Sequence, residues 1–143
     1  MYGLYLAREL YPKGIVYYSQ ETHYSVSKNL HLLNMKHIMI RSNKSGEIDY
    51  EDFYERIKIN RSEPAIIFAN IGTTMTEAKD DLKQIISILD NLVIKDRYIH
   101  LDAALCGELA PFIHPRVAFD FKDAADSISV NGRNLVAHQF LVV

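Results

Sequence analysis

Three polar groups in this chain stand where apolar runs stop, and they are of types that handle protons and ligands. His23 follows the run Ile15-Val16-Tyr17-Tyr18-Ser19, Thr73 and Thr74 follow Ala65 to Ile71 through Gly72, and Asp102 closes Tyr98-Ile99-His100-Leu101. A fourth such end is Asn131 to Asn134, after the run Ser127 to Val130. An imidazole offers a flat face and changes protonation near neutral pH. The Asp102 carboxylate is framed by His100 and the small pair Ala103-Ala104. Gly72 marks a place where backbone can approach a ligand closely. Each residue also has a plainer reading: Asp102 as a turn or helix cap, His23 as a cap or surface residue, the threonines as a capped loop. Asp80-Asp81 read as helix-start charges without chemistry.

Other site types fit poorly. His31 and His37 lie six apart, and Cys106 has no cysteine or histidine nearby, so metal-ligand spacing is missing and no metal is expected. The chain holds no Gly-x-Ser-x-Gly, phosphate-loop or Gly-x-Gly-x-x-Gly pattern.

The elements that must position these groups alternate. Residues 3–10 read as a helix stopped by Pro12 and Gly14. Residues 14–19 are β-branched and aromatic, hence a strand. Residues 25–35 follow helical spacing through Val26, Leu30 and Leu33, with Ser25 as the expected N-cap. After a short apolar run at 37–41, residues 49–59 return to a helical pattern. Residues 65–71 are apolar nearly throughout, as in a strand covered on both faces. Residues 80–92 form the clearest amphipathic helix, and strands at 98–101 and 127–130 complete the series. This alternation predicts an α/β fold with a mainly parallel sheet flanked by helices. Ligands bind beyond the carboxyl ends of such strands, where the singled-out residues fall.

The 143 residues, net charge of −2, give no basic field for nucleic acid or anionic lipid. No apolar stretch is long enough to cross a bilayer, and the start lacks a cleavage-site pattern, so it does not read as a signal peptide. The lone Cys106 suits a reducing compartment. The expectation is a cytoplasmic, single-domain piece. Tyr2, Tyr5, Tyr17, Tyr18 and Tyr24 read as core or interface residues.

Four segments taken together carry a resemblance: Glu21-Thr22-His23-Tyr24-Ser25, Ala69-Asn70-Ile71-Gly72-Thr73-Thr74, Tyr98-Ile99-His100-Leu101-Asp102-Ala103-Ala104 and Asp126-Ser127-Ile128-Ser129-Val130-Asn131-Gly132. Tyr11-Pro12-Lys13-Gly14, Gly46 to Tyr50 and Pro111-Phe112 follow the same pattern. Residues 2–132 resemble the middle of a pyridoxal-phosphate (PLP) dependent group II amino-acid decarboxylase, in the branch of histidine and serine decarboxylases. The resemblance implies a fragment of the large PLP-binding domain of the aspartate-aminotransferase-like fold, with homodimers or higher homo-oligomers in intact relatives. It implies α-decarboxylation of an amino acid, with histidine to histamine the nearest match. By this resemblance Asp102 faces the protonated ring nitrogen and His23 stacks on the ring and contacts the substrate carboxylate. Thr73 and Ser129 touch the cofactor, and Ala104 lies beneath it. The alternative reading is a non-catalytic α/β fragment retaining a PLP-like pocket and a dimer surface. A different enzyme class on a similar sheet is a third.

The chain departs from the family at its end. Where the family runs Gly-His-Lys-Phe, with the lysine holding PLP as a Schiff base, this chain runs Gly132-Arg133-Asn134-Leu135. An asparagine amide cannot form that bond. Residues 1–132 therefore read as the central part of the large domain, and 133–143 as a divergent tail. Codons can be chosen for that tail which, read one base over, give Lys-Phe followed by a serine run, as a frameshift would. The resemblance further implies a glycine-rich phosphate-binding segment before Met1 and a small C-terminal domain, both outside this chain, so the fragment is expected to be inactive alone.

Overall fold

The computed structural model describes residues 1–131. The elements run α1 (Tyr2–Leu10), β1 (Ile15–Ser19), α2 (Ser25–Leu32), β2 (Lys36–Ile40), α3 (Tyr50–Ile59), β3 (Ala65–Asn70), α4 (Leu82–Asn91), β4 (Arg97–Asp102) and β5 (Ser127–Ser129). The five strands form one sheet in the order β2-β1-β3-β4-β5, and every pairing is parallel. The chain first steps from β1 outward to β2, then returns across β1 to β3, β4 and β5. Because β–α–β crossovers share one hand, the reversal puts α2 on one face and α3 and α4 on the other.

Two apolar clusters confirm that division. Ile15, Tyr17, Ile67, Ala69, Ile99 and Leu101 pack against Phe53, Ile57, Leu82, Ile85 and Leu89 of α3 and α4. The alternate strand residues Val16, Tyr18, Ile66, Phe68 and Tyr98 pack against Leu4 and Ala7 of α1 and Val26 and Leu30 of α2. Burial on both faces explains why β1 and β3 read as continuous apolar runs. Phe53 meets Tyr17 edge-to-face, with ring centroids 6.0 Å apart.

Local details differ from the expectations in instructive ways. Helix α2 stops at Leu32, because Asn34 takes a left-handed φ of 52° and the chain turns into β2. Tyr24, not Ser25, is its N-cap; the Ser25 hydroxyl is engaged with His23 instead. Asp49 caps α3 through the amides of Glu51 and Asp52. Asp81 caps α4 through Lys83 and Gln84, as a helix-start charge should. Asp80 is different: it is buried, as described below. Tyr17 and Tyr18 are core residues, whereas Tyr2, Tyr5 and Tyr24 are exposed. No helix among the described residues is long and apolar enough to cross a membrane.

Candidate functional site

The chain's reversal of strand order at β1 and β3, which run parallel, sends the loops beyond these strands to opposite faces of the sheet and opens a crevice at their carboxyl ends. A cleft of about 530 Å³ lies there, lined by His23, Ser25, Asn70, Gly72, Thr74, Asp102, Ala104, Leu105 and Asn131. The volume falls in the range of small-molecule sites. Sequence reasoning placed His23, Thr73, Asp102 and Asn131 at such an edge; the fold brings His23, Asp102 and Asn131 into one cavity together with Ala104, and Thr73 is not among its lining residues.

Asp102 ends β4 and is held twice. Its backbone carbonyl accepts from Ile71 N–H at 2.8 Å, and its Oδ1 accepts from Ala104 N–H at 3.1 Å. The Ser129 hydroxyl on β5 donates to the same Oδ1 at 3.4 Å. Register explains that contact, because Asp102 sits opposite Ser129 and His100 opposite Ser127, all on one face of the sheet. Ser129 thus reaches the site through Asp102 and is not among the cleft-lining residues. His100 is buried, and desolvation lowers its pKa to about 4 despite the opposing pull of the Asp102 carboxylate.

His23 sits in the loop between β1 and α2, exposed, with its ring centroid 4.4 Å from that of Tyr24. Its Nδ1 accepts from the Ser25 backbone N–H at 3.3 Å and lies 2.8 Å from the Ser25 hydroxyl. An Nδ1 that accepts an amide proton carries none itself, so the neutral ring has its proton on Nε2. The loop is tied to β3 by Asn70, whose Nδ2 donates to Thr22 Oγ1 at 3.0 Å.

Asn70 is itself fixed by Asp80. The Asp80 carboxylate accepts from the backbone N–H of Asn70 at 2.7 Å, from that of Ile48 at 2.8 Å and from Asn70 Nδ2 at 3.3 Å. Burial raises its pKa, opposed by these three hydrogen bonds. The sequence reading missed both residues. Asn70 had a signal, a polar side chain at the end of a strand otherwise apolar on both faces. Asp80 had none, because its neighbour Asp81 looks the same in sequence and does the capping.

Gly72 adopts φ of +99°, and a Cβ there would come within 2.4 Å of Cys106 Sγ. Glycine is therefore required on two counts, and its bareness lets the segment after Asp102 pack beneath the cleft. Thr73 is not among the residues that line the cleft. Its side chain is buried in its own loop, where Oγ1 lies 2.6 Å from Thr76 Oγ1 and accepts from Ala78 N–H at 3.2 Å. Thr74 lines the cleft instead. Asn134 falls within residues 132–143, outside the described residues. Among the described residues no cluster suits a metal ion, and no lysine or arginine lines the cleft.

The profile of the pyridoxal-dependent decarboxylase conserved domain matches residues 5–142. A histidine decarboxylase of Mesorhizobium japonicum is 51% identical over 141 residues, which cover 99% of this chain and 37% of that protein. One from Acinetobacter baumannii is 50% identical over 138 residues, covering 95% of this chain and 36% of that protein. The crystal structure of mouse CSAD aligns with a TM-score of 0.78 at 25% identity, covering 95% of this chain and 32% of that one. The chain spans little more than a third of the length of the two histidine decarboxylases. The architecture is the expected one, part of the large domain of an aspartate-aminotransferase-like fold, with a sheet that is parallel throughout among the described residues.

Proposed function

This chain belongs to the pyridoxal-dependent decarboxylase family, and on that premise we propose that it carries the ring-binding part of a PLP-dependent amino-acid α-decarboxylase, with histidine as substrate and histamine as product. The observation that carries this reading is the meeting of His23, Asp102 and Ala104 in one cleft at the switch point of the sheet. The donor set fits the ring of PLP: a carboxylate for the pyridine nitrogen, a flat imidazole, and a small residue beside them. Hydroxyl and amide groups of Ser25, Thr74 and Asn131 line the same cleft, and among the described residues no lysine or arginine there meets a phosphate. That matches a phosphate-binding segment contributed from elsewhere in the protein.

When bound, PLP supplies an electron sink for the pair left behind as the substrate's α-carboxylate departs as carbon dioxide. Asp102, fixed by Ile71 and Ala104, holds a proton at the pyridine nitrogen. His23, with Nδ1 occupied by Ser25, has Nε2–H to donate to an anionic group such as the substrate carboxylate. Asn70 and Asp80 keep the His23 loop in register with β3. Thr73 braces the loop that presents Thr74 to the cleft. A second copy of the subunit, in the cytoplasm, completes this reading of the whole protein.

Asn134 favours a second reading of this particular chain. It stands where the resemblance puts the family's lysine, its amide cannot hold the cofactor covalently, and no lysine follows Lys122. We read residues 133–143 as a divergent, frameshifted tail and the chain as binding PLP noncovalently without turnover. Incubation with PLP followed by borohydride should leave no labelled peptide within residues 123–143, and added histidine should release no carbon dioxide. Decarboxylation by the purified chain overturns the second reading; a chain that does not bind PLP at all overturns the first.

A further inference from the structure

We propose that His100 is a positioning residue, acting through the Ser129 hydroxyl to hold the Asp102 carboxylate in the orientation that the cleft requires. The inference rests on the reading of Asp102 as the carboxylate that meets the cofactor ring.

Geometry and proton counting give the chain of contacts a direction. His100 and Asp102 are two residues apart on β4, and Ser127 and Ser129 are two apart on β5, so all four project from one face. His100 Nδ1 lies 2.7 Å from Ser127 Oγ, and His100 Nε2 lies 3.3 Å from Ser129 Oγ. Ser129 Oγ in turn lies 3.4 Å from Asp102 Oδ1. An ionised carboxylate accepts and never donates, so the single hydroxyl proton of Ser129 belongs to the bond with Asp102. Ser129 must then accept from His100, which places the ring proton on Nε2 and leaves Nδ1 to accept from Ser127. Three hydrogen bonds thus run the same way, from Ser127 through His100 and Ser129 to Asp102. A neutral imidazole is needed in the middle, because an imidazolium has no lone pair for Ser127. Burial supplies that condition, since His100 is 2% exposed and its ring lies 4.9 Å from that of Phe68.

Helix α1 closes the far end of this chain. A Cβ on Gly3 would approach within 2.4 Å of His100 Nδ1 and 3.0 Å of Ser127 Oγ. Only a bare backbone at that helical position lets α1 seat over the pair. The residue that shields His100 from water therefore comes from the opposite end of the sequence.

The test uses the full 143-residue chain and begins without cofactor. Long-range proton–nitrogen NMR correlations at pH 7 should show His100 neutral with its proton on Nε2. The Asp102 carboxyl carbon resonance should move in Ser129→Ala and return toward the wild-type position in Ser129→Thr, which restores the hydroxyl. A proton on Nδ1, or an Asp102 resonance unmoved by Ser129→Ala, overturns the relay. In a second arm, PLP titration should show Ser129→Ala binding about fivefold more weakly, as expected for one lost hydrogen bond, with Ser129→Thr close to wild type. Equal binding by Ser129→Ala and wild type contradicts a role toward the cofactor. A wild-type chain that ignores PLP overturns the functional reading instead, while the carboxyl resonance still decides the relay.

Discussion

The two faces of the sheet start alike and end differently. On the α3 and α4 side, β3 and β4 remain apolar to their carboxyl ends: Ile71, Leu101 and Ala103 continue the core that Tyr17 and Ile67 begin. On the α1 and α2 side, the same strands turn polar where the apolar cluster stops. Asn70 follows Phe68 on β3, His100 and Asp102 follow Tyr98 on β4, and Ser127 and Ser129 stand opposite them on β5. Side chains alternate along a strand, so one backbone builds a core on one face and a site on the other. On the proposed function, core packing and chemistry fall to neighbouring residues that point opposite ways. A substitution in the apolar core should change folding and leave binding alone; one at a cleft-lining residue such as Asp102 should do the reverse.

The largest effect should come from the apolar face. Phe53→Ala removes a fully buried ring that meets Tyr17 edge-on, and such deletions cost about 3–5 kcal/mol. Urea denaturation should show that loss, while PLP affinity of the molecules that stay folded should be unchanged. A loss below about 1 kcal/mol would mean that the α3 and α4 core is not what holds the sheet.

The polar face has its own stability signature, in pH. His100 titrates near its ordinary value of 6.5 in the unfolded chain and at about 4 when folded. Between those values the unfolded state binds the extra proton, so stability is full above pH 6.5 and falls as pH drops toward 4. The whole difference corresponds to roughly 3 kcal/mol. Asp80 works the other way, because its raised folded pKa lets the native state take up a proton first as pH falls. The His100 contribution is isolated by comparing the wild type with His100→Gln. The variant should lose most of the slope between pH 6.5 and 4; parallel curves would show that His100 is not buried in neutral form.

A smaller effect sharpens the boundary between face and helix. Gly to Ala within a helix ordinarily gains about 1 kcal/mol. Gly3→Ala should lose stability instead, by about 1–3 kcal/mol, because its methyl group meets His100. Thermal denaturation reads the sign, and a gain would place α1 farther from His100 than the structure does.

The fold was largely legible from sequence because both sheet faces are buried. Such strands read as unbroken apolar runs, and helices α3 and α4 announce themselves through aspartate caps and periodic apolar residues. Strand order was not legible, since nothing local records that β2 pairs outside β1. The candidate cleft was legible where residues stand at or just beyond strand ends, as Asp102 and His23 do. Its supports were not, because they depend on register. Ser129 and His100 are linked only once β5 is laid against β4, and Asp80 differs from Asp81 only by which way the chain turns after β3. Thr73 and Thr74 show the limit most simply: adjacent and identical, one braces its loop and the other faces the cleft.

The most direct test of the central claim is equilibrium titration of the chain with PLP, beside the variant Asp102→Asn. The substitution keeps the size of the side chain and removes the charge that would face the ring nitrogen. The wild type should bind PLP reversibly, and Asp102→Asn should bind it roughly ten- to a hundredfold more weakly, as expected for losing a hydrogen bond to a charged group, with its urea midpoint essentially unchanged. Equal affinities for the two proteins would contradict the assignment of Asp102, and with it the account of the polar face as the cofactor side of the sheet.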